Sequence, residues 1–481
     1  MNIKDMRSFC KKKGFVFQNS EIYGGLSGFF DYGPLGVELK NNIKDDWWNY
    51  FVRSEENIFG IDGSILSHQN IWKASGHVEN FEDILVEDKV TKERFRADHL
   101  IENALDIQAE GLTTKDLGKL IKENKITSPK GNPLTEPKQF NLMFQTFIGP
   151  TQTKESISYL RPETAQVIFT NFKQVAETQR AKLPFGIAQI GKAFRNEISP
   201  REFLFRQREF EQMEVEFFLR KDQQNNCPQL LKFKKTKINF LSTNNKKTKT
   251  ITLDKIKATD WHKYWLVKSY NWFLDLGINK DNLRIREHSK KELSHYSSAT
   301  FDIEYNFPFG WNEVHGNSNR GNFDLKQHMK YSKEKLELHD EETKKKVLPE
   351  VIEPSQGVDR AFLAFLYDSF KDDKKRGNIV LKLHPKLSPY KTAVFPLISN
   401  KKELMKLAKK VYSNLEFNSF FDKSGSIGRR YARQDEIGTP FCITIDFDSL
   451  KDKAVTVRDR NTTRQKRIKI SELNKYLRDK L

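Results

Sequence analysis

One stretch limits the fold more than any other: residues 191–218, GKAFRNEISPREFLFRQREFEQMEVEFF, set charges of both signs among aromatic side chains. As a strand, 206–218 would turn alternate residues to opposite faces. One face would carry Arg206, Arg208, Phe210, Gln212, Glu214 and Glu216. Phe194–Glu197 is predicted as a second short strand, joined to the first by the loop ISPREFLF. The stretch therefore predicts a hairpin with a charged face.

The order of the groups on this face indicates the ligand that it suits, because cations come first, then an aromatic ring, then carboxylates. Arg195 and Arg206 have the planar fork that binds phosphate oxygens, and Phe210 would stack on a base. Glu197 would accept from an exocyclic amine, and Glu214 lies where a small cation would sit. ATP together with a molecule that bears an ammonium group would use the whole face. The alternative is an exposed hairpin covered with salt bridges.

Three further motifs also place ionised groups at strand ends, beside small residues. LRPETAQ (160–166) contains Arg161 and Glu163, GWNEVHGNSNRGNFDL (310–325) contains Glu313 and Arg320, and VIEPSQGVDR (351–360) contains Glu353, Ser355, Gly357 and Arg360. Each motif alone would more readily be structural. Together with the hairpin they indicate one common site.

Composition constrains the partners and the location of the chain. Lys and Arg number 83 against 64 Asp and Glu, a net charge of +19, which favours a polyanionic partner such as nucleic acid; a general lysine bias is the alternative. Cys10, Cys227 and Cys442 form no CxxC pair, so neither a zinc site nor a disulfide framework is predicted. Since no segment resembles a secretory signal or a membrane span, we expect a cytoplasmic protein.

The chain of 481 residues is too long for one core, so two or three domains are expected. Helices are predicted at 33–52, at Pro162–Phe172 and, with an amphipathic pattern, at 260–278. Residues 101–140 are interpreted as a helical insertion whose best helix is TTKDLGKLIKENK, and the Lys- and Asn-rich residues 221–256 as a peripheral insertion. DDKKRGN (372–378) is interpreted as a linker. The alternation of strands and helices after it predicts a compact α/β domain over 385–481.

These motifs resemble those of a known family. FRNE…FRQREF is similar to motif 2 of the class II aminoacyl-tRNA synthetases, GPLGVELKNN to motif 1, and GVDR to the arginine of motif 3. Longer strings resemble the glycyl-tRNA synthetases of the homodimeric type, among them ASGHVENFED, FRADHLIENA, RPETAQ, REFEQMEVEFF, NRGNFDL and VIEPSQGVDR. The resemblance resumes in the C-terminal domain with GSIGRRYARQDEIGTPFCITID.

The resemblance implies an α+β fold. A class II catalytic domain over 1–375, with a mainly antiparallel sheet flanked by helices, would carry insertions at about 101–140 and 221–300. An α/β anticodon-binding domain would follow over 385–481. The implied reaction converts glycine and ATP into glycyl-adenylate and pyrophosphate, and then esterifies the 3′ end of tRNA(Gly). ATP and Mg²⁺ are the implied cofactors; no zinc is expected, because 83–96 lacks the cysteine pairs of some relatives.

The same motifs imply roles for single residues. Arg195, on the α-phosphate, and Arg206 and Arg360, on the γ-phosphate, would be the catalytic cations. The implied ATP site consists of Arg195, Asn196, Glu197, Phe205, Arg206, Phe210, Glu313, Val314, Gly357 and Arg360. Glu313 would also hold Mg²⁺. The implied glycine site consists of Arg96, Glu163, Phe210, Gln212, Glu214, Glu353 and Ser355.

Four further expectations concern packing and partners. Pro34 would lie in a homodimer interface. Val167 stands where relatives usually have glycine, so the packing beside the pocket is expected to differ. Residues 221–256 are basic enough for contacts with tRNA phosphates, with a solvated surface as the alternative. Anticodon reading is predicted for a charged helix-to-loop segment, which a solvated helix would also explain, with the residues Arg429, Arg430, Arg433, Asp435 and Glu436.

Two other functions are compatible with parts of the pattern. A class II ligase for a different amino acid would share the motifs, but REFEQMEVE and EPS argue against it. A synthetase-like protein that binds nucleic acid without catalysis would be expected to lack the motif arginines. Arg195, Arg206 and Arg360 are all present.

Overall fold

The N-terminal three quarters of the chain is built on one large sheet. The computed structural model describes residues 1–481 except 108, 110, 244, 246, 291 and 294–296, so those positions of the two predicted insertions lie outside the described residues. Within the described part, nine strands pair in the order Lys249–Thr252, Lys237–Leu241, Leu283–Glu287, Ala299–Phe307, Gly310–Gly321, Glu350–Gly357, Glu209–Leu219, Phe185–Phe194 and Ile58–Gly60. The second and third strands pair parallel, as do the last two, and the other neighbours are antiparallel. The predicted mainly antiparallel sheet is therefore confirmed.

The charged stretch forms the predicted hairpin, but its strands stop short of the loop. Strand Phe185–Phe194 pairs antiparallel with Glu209–Leu219. Arg195 and Arg206 therefore lie in the connecting loop, and their prediction as strand residues is wrong. The reason is the 3-10 turn Phe203–Phe205, whose first two side chains are buried and pull the loop into the core.

Helices flank the sheet, as predicted. Their bounds before the C-terminal region are Ile3–Lys13, Pro34–Trp48, Gln69–Ala74, His77–Asn80, Ala97–Leu105, Thr114–Glu123, Ala165–Thr178, Asp260–Asp275, Phe323–Ser332 and Val358–Ser369. The helix predicted at Pro162–Phe172 starts later, because the carbonyl of Pro162 accepts from the Arg195 side chain instead of a helical N–H. No helix in the described part of the chain is both long and apolar enough to cross a membrane.

The structure contradicts the amphipathic pattern predicted for 260–278, and it shows that the insertion predicted at 221–256 adds edge strands to the large sheet. Strands Lys237–Leu241 and Lys249–Thr252 belong to the large sheet. Ile238 of the first strand is fully buried and packs in the main hydrophobic core. The helix predicted as amphipathic, Asp260–Asp275, has eleven buried residues among its sixteen, all described. It packs on the sheet on one side and on the 3-10 turn Pro228–Lys232 on another, so little of its surface reaches water.

The first insertion is a small unit that begins near residue 82 rather than 101. Its sheet consists of Arg94–Arg96, Glu82–Glu87 and Lys138–Asn141. Helices Ala97–Leu105 and Thr114–Glu123 pack on it around a separate apolar cluster. The helix predicted within TTKDLGKLIKENK is confirmed, and it starts where the Thr113 hydroxyl accepts from a backbone N–H.

A buried carboxylate ties this unit together at a turn. Asp88 accepts from the backbone N–H groups of Val90 and Thr91 and from the side chains of Ser128 and Asn132, at 2.6–3.0 Å. Burial would raise the pKa of Asp88, but these four bonds lower it well below its usual range. Four hydrogen bonds to one carboxylate therefore hold this turn together.

The C-terminal region, described throughout, folds as the predicted α/β domain. Its five strands pair in the order Ser419–Phe421, Thr392–Pro396, Phe441–Ile445, Ala454–Asp459 and Gln465–Lys469. Its helices are Lys402–Ser413, Ile427–Ile437, Phe447–Asp452 and Leu473–Arg478.

Four short strand pairings lie beside the large sheet in the N-terminal part of the chain: Val16–Gln18 with Phe30–Tyr32, Leu66–Ser67 with Ile157–Leu160, Ile157–Leu160 with Gln145–Phe147, and Leu338–Asp340 with Lys345–Val347.

The segment DDKKRGN, predicted as a linker, is the turn of a hairpin between Phe370–Asp373 and Asn378–Leu381. Arg376 in this turn donates to the Asp435 carboxylate at 3.2 Å and to the Arg460 carbonyl at 2.7 Å. The turn is therefore a contact between the two halves of the chain, which explains its charge better than a flexible linker does.

Candidate active site

A cavity of about 370 Å³ opens on the large sheet where four strands meet the hairpin loop. The predicted site residues that line it are Glu163, Arg195, Glu197, Phe205, Arg206, Phe210, Gln212, Glu214, Glu313, Glu353, Ser355, Gly357 and Arg360. All four sequence motifs contribute. The structure therefore brings together groups that are up to 197 positions apart in the chain, from 163 to 360.

One part of the cavity is lined by carboxylates. Backbone pairing sets Glu214 opposite Ser355 on the neighbouring strand. The Thr164 hydroxyl donates to Glu214, and Nη1 of Arg320 lies 3.0 Å from both carboxylate oxygens of Glu353. The pocket walls are thus fixed by hydrogen bonds within the protein.

Burial and neighbouring charges decide the protonation of these carboxylates. Burial, followed by the charge of Glu163, raises the pKa of Glu214. Burial also raises the pKa of Glu353, against the opposing effect of Arg320. Glu163 behaves differently: burial would raise its pKa, but His77, 3.4 Å away, brings it below its usual range. The pocket therefore holds more carboxylate groups than cations can balance.

Another part of the cavity is lined by arginines. Nε of Arg206 lies 3.9 Å from Glu197, and Nη1 of Arg360 lies 2.9 Å from Glu313. Burial lowers the pKa of Arg206, and nearby arginines lower it further. Guanidinium groups stay charged despite such shifts, so this part presents fixed positive charge.

Aromatic rings lie beside two of these cations. The guanidinium of Arg195 is 5.2 Å from the centre of the Phe210 ring, and that of Arg360 is 4.4 Å from the Phe205 ring. Pro162 fixes Arg195 by accepting from its Nε at 3.0 Å. A flat ligand next to a polyanionic group would meet both kinds of surface.

Sequence reasoning missed one wall of the cavity, which contains His288, Glu292, Thr300, Asp302 and Ser318. Nε2 of His288 lies 2.6 Å from Asp302. Burial raises the pKa of Asp302 to about 6, with the hydrogen bond to His288 opposing. Burial lowers the pKa of His288, but the bond to Asp302 outweighs it and raises the value overall. For Thr300 and Asp302 a sequence signal was available, because TFDIEYNF (300–307) alternates polar and apolar residues as a half-buried strand does.

The cavity also holds the donor groups that a magnesium ion prefers. A Cβ placed on Gly316 would lie 3.6 Å from Glu313 Oε1 and 4.0 Å from Asp302 Oδ1. Two carboxylates from neighbouring strands thus flank one glycine, whose missing side chain leaves the space open. Carboxylate oxygens beside a phosphate-binding region suit Mg²⁺.

Three predicted site residues, all within the described part of the chain, lie outside the cavity lining. Arg96 pairs in the insertion unit with Asp83 at 3.1 Å and with Asp98 at 2.5 Å. Asn196 does not line the cavity, and its backbone N–H donates to the carbonyl oxygen of Leu142. Val314 is buried in the core, at a β-bulge where Glu313 and His315 pair with the consecutive residues Glu304 and Ile303.

The LRPETAQ motif has one structural residue and one unusual one. Arg161 is 2% exposed and donates to the carbonyl oxygens of Lys192 and Gly63 at 2.6 and 2.7 Å. It supports the site without lining it. Val167 packs against Gly63, where a Cβ would come within 2.3 Å of the valine Cγ1. The larger side chain in the motif is therefore accommodated by a glycine on the facing loop.

Several of the residues predicted to read an anticodon instead bind other groups of the protein. Arg430 is buried and donates to three backbone carbonyl oxygens. Asp435 binds two arginine side chains, and Glu436 pairs with a lysine of the catalytic half. Arg429 is exposed, and the side chain of Arg433 is 44% exposed while pairing with Asp422 at 2.6 Å.

Comparison with known proteins gives this geometry a family. Residues 147–369 match the tRNA synthetase class II core domain (G, H, P, S and T), and residues 391–480 match the anticodon binding domain. The glycine–tRNA ligases of Caldanaerobacter subterraneus subsp. tengcongensis and Clostridium acetobutylicum are each 48% identical to the chain, over 98% of it and 97% of their own length. That of Bacillus thuringiensis subsp. konkukian is 46% identical over 100% of the chain and 99% of its own length. The chain belongs to the glycine–tRNA ligase family of class II tRNA synthetases.

Proposed function

We propose that this chain attaches glycine to tRNA(Gly) in two steps. Glycine and ATP first form glycyl-adenylate and pyrophosphate, and the adenylate then esterifies the 3′-terminal ribose of the tRNA. The observation that carries the proposal is one continuous cavity in which three arginines adjoin a pocket lined by Glu163, Glu214 and Glu353. Such a cavity suits a triphosphate and an ammonium group side by side.

ATP would occupy the part of the cavity that contains the arginines. Arg195 would hold the α-phosphate, and Arg206 and Arg360 the γ-phosphate, because guanidinium forks match phosphate oxygens. Phe210 would stack on adenine, and Glu197 would accept from its exocyclic amine. The proximity of the Arg195 guanidinium to the Phe210 ring supports this assignment, since one nucleotide then contacts both.

Glu313 and Asp302 would hold the Mg²⁺ that accompanies ATP. Both carboxylates flank Gly316, and both belong to strands whose pairing fixes their separation. When bound, the ion would neutralise negative charge on the phosphates. His288 supports this role from outside, because its bond to Asp302 orients that carboxylate.

Glycine would bind where the carboxylates converge. Glu163, Glu214 and Glu353 would attract its ammonium group, and Ser355 and Gln212 complete the wall. Glycine offers no side chain that the enzyme could bind, so selectivity must come from excluding larger amino acids. A tight pocket that pulls the ammonium inward achieves this, because any larger side chain would push the ammonium out of reach.

The chemistry needs positioning rather than a general base. A carboxylate oxygen of glycine attacks the α-phosphorus, and the bond between that phosphorus and the pyrophosphate oxygen breaks. The attacking group is already an anion, so no proton has to be removed. The chain contributes fixed cations where negative charge accumulates and holds the two reactants in line.

Two other functions fit the cavity less well. A ligase for a larger amino acid would need space that the carboxylates and their hydrogen-bonded supports occupy. A non-catalytic nucleic-acid-binding protein would have no use for three arginines arranged around one cavity. The identity of the relatives over nearly the full chain also favours the glycine ligase.

Recognition of tRNA would fall to the positively charged surface and the C-terminal domain. We place the catalytic domain at 1–375 and the anticodon-binding domain at 385–481. Arg429 and Arg433 are the charged residues of the predicted set that remain accessible, so they would contact the anticodon loop. Lysines of 221–256 would contact phosphates, since these residues border an edge strand of the sheet. We also propose that the reaction takes place in the cytoplasm.

We further propose that the protein acts as a homodimer through the region of Pro34. Helix Pro34–Trp48 begins at this proline, and the apolar side chain of Val37 on its first turn is 42% exposed. Sedimentation would show a species of twice the chain mass of 56.4 kDa, and replacing Val37 with aspartate would shift it toward the monomer. A monomer for the unmodified protein would contradict this assembly.

The cation assignment is tested by Arg195→Ala. Because Arg195 would stabilise charge on the α-phosphate, we expect glycine-dependent ATP–pyrophosphate exchange to fall about a hundredfold or more, with folding and tRNA binding retained. Arg201→Ala is the matched control: Arg201 lies exposed in the same hairpin loop, and its exchange rate should stay near that of the unmodified enzyme. Equal rates for the two variants would overturn the site assignment.

The tRNA assignment is tested by replacing Arg429 and Arg433 with alanine. Exchange without tRNA should be unchanged, because both residues lie in the C-terminal domain. The KM for tRNA in aminoacylation should rise by about tenfold, as expected when single-stranded bases lose hydrogen-bonding partners. Unchanged aminoacylation would place the anticodon contacts on other residues.

A further inference from the structure

A third glutamate lies beside the carboxylates assigned to glycine. Glu214, Glu216 and Glu353 each place one carboxylate oxygen within 4.8 Å of the oxygens of the other two. Glu216 follows Glu214 by two residues on the same strand, so both side chains point to the same face. Glu216 is fully buried, and neither of its oxygens has a hydrogen-bond partner among the described residues.

Arg320, which pairs with Glu353 of this cluster, also binds a carboxylate outside it. Nε and Nη2 of Arg320 donate to Asp324 at 2.8 and 2.9 Å, and its Nη1 donates to Glu353 at 3.0 Å. Among the described residues, no cation forms an ion pair with Glu216 or Glu214. The cluster therefore contains four carboxyl groups around one guanidinium.

Two further groups that can carry positive charge lie near the cluster: His77 is 3.4 Å from Glu163, and Arg161, within range of the Glu214 charge, donates to the carbonyl oxygens of Lys192 and Gly63. Glu163, which precedes helix Ala165–Thr178, adds another carboxylate next to Glu214. His328 of helix Phe323–Ser332 hydrogen-bonds to Gln166, and burial lowers its pKa, so its imidazole is neutral. Like charges repel strongly where they are buried, and a buried carboxylate without a partner is very unfavourable when ionised.

A proton on Glu216 resolves this conflict. Burial, followed by the charge of Glu353, raises the pKa of Glu216 well above its usual range. If Glu216 were ionised, the repulsion would drive protons onto Glu214 and Glu353, which would weaken ammonium binding, or would draw in a metal cation that competes with glycine. A neutral Glu216 avoids both outcomes while keeping the volume of the site filled.

We propose that Glu216 is a positioning residue that stays a neutral carboxylic acid during the reaction, so that Glu214 keeps the negative charge that holds the glycine ammonium. The inference rests on the proposed function, because it concerns the pocket assigned to glycine. It assigns opposite charge states to two glutamates of the same strand face. The difference arises because Glu216 lacks the hydroxyl donors that stabilise Glu214.

The test compares Glu216→Gln with Glu214→Gln as its matched control, through the pH profile of pyrophosphate exchange. Glutamine has the shape and charge of a protonated glutamate. Glu216→Gln should therefore keep kcat and the KM for glycine within about twofold at every pH. Glu214→Gln should raise the KM for glycine by about tenfold or more with a smaller change in kcat, since it removes a charged partner of the ammonium.

The sign of the pH dependence follows from Glu214. Its raised pKa means that the proton competing with ammonium is lost as pH rises, so the KM for glycine should fall as pH rises above the range in which an ordinary glutamate titrates. Glu216→Gln should reproduce this profile, and Glu214→Gln should flatten it. If Glu214→Gln leaves the KM unchanged, the glycine pocket itself is misassigned; if both variants raise it tenfold, only the inference about Glu216 fails.

Two measurements report on Glu216 directly. The infrared difference spectrum between the unmodified protein and Glu216→Gln at neutral pH should contain a protonated carboxyl band that shifts in D₂O; a carboxylate band instead would overturn the proposal. Titration with Mn²⁺ in the absence of ATP should show no site that Glu216→Gln abolishes, and such a site would also overturn it. Loss of folding in Glu216→Gln would contradict it as well, because the substitution preserves the shape of the neutral acid.

Discussion

The register of three antiparallel strands sets the position of the charged groups in the cavity. Ser355 pairs with Glu214 on one side and with Gly316 on the other, so one row across the sheet joins the glycine pocket to the two carboxylates assigned to Mg²⁺. A slip of one residue in any strand would turn its whole set of side chains to the other face. The chemistry therefore depends on backbone hydrogen bonds that no site residue supplies alone.

The second constraint is an excess of negative charge in a buried pocket. Arg320 balances Glu353 and Asp324, and the remaining carboxylates find their balance in protons or in the substrate. A pocket that is short of one positive charge favours a ligand that brings it, which links the cost of burying Glu214 to affinity for an ammonium group. Similar reasoning applies to the arginines, because a bound polyanion would offset the repulsion among their positive charges.

How much of this could be predicted from the sequence depends on the range of the interactions. The hairpin and the cavity residues Phe210, Gln212 and Glu214 were predictable, because a period of two is a local pattern and all three lie on the paired strand. The loop positions of Arg195 and Arg206 were not, because a buried 3-10 turn overrides the alternation. The fold class and the C-terminal α/β domain followed from element order and from the resemblance.

Other features depend on contacts that a sequence does not display. His288 reaches Asp302 only after strand Leu283–Glu287 has paired with Ala299–Phe307, so its place in the cavity was hidden. Arg430 reads as a nucleic-acid contact in sequence, whereas the structure shows it buried against backbone carbonyl oxygens. A charged residue looks the same in sequence whether it binds a ligand or supports the chain that surrounds the site.

We propose that a single cavity couples ATP to glycine and to no other amino acid. The most direct test of this proposal is ATP–pyrophosphate exchange measured with each standard amino acid in turn, with Mg²⁺ and without tRNA. The account predicts exchange with glycine alone. Exchange with a larger amino acid would keep the arginine site but contradict the carboxylate pocket, and no exchange with any amino acid would contradict catalysis by this cavity altogether.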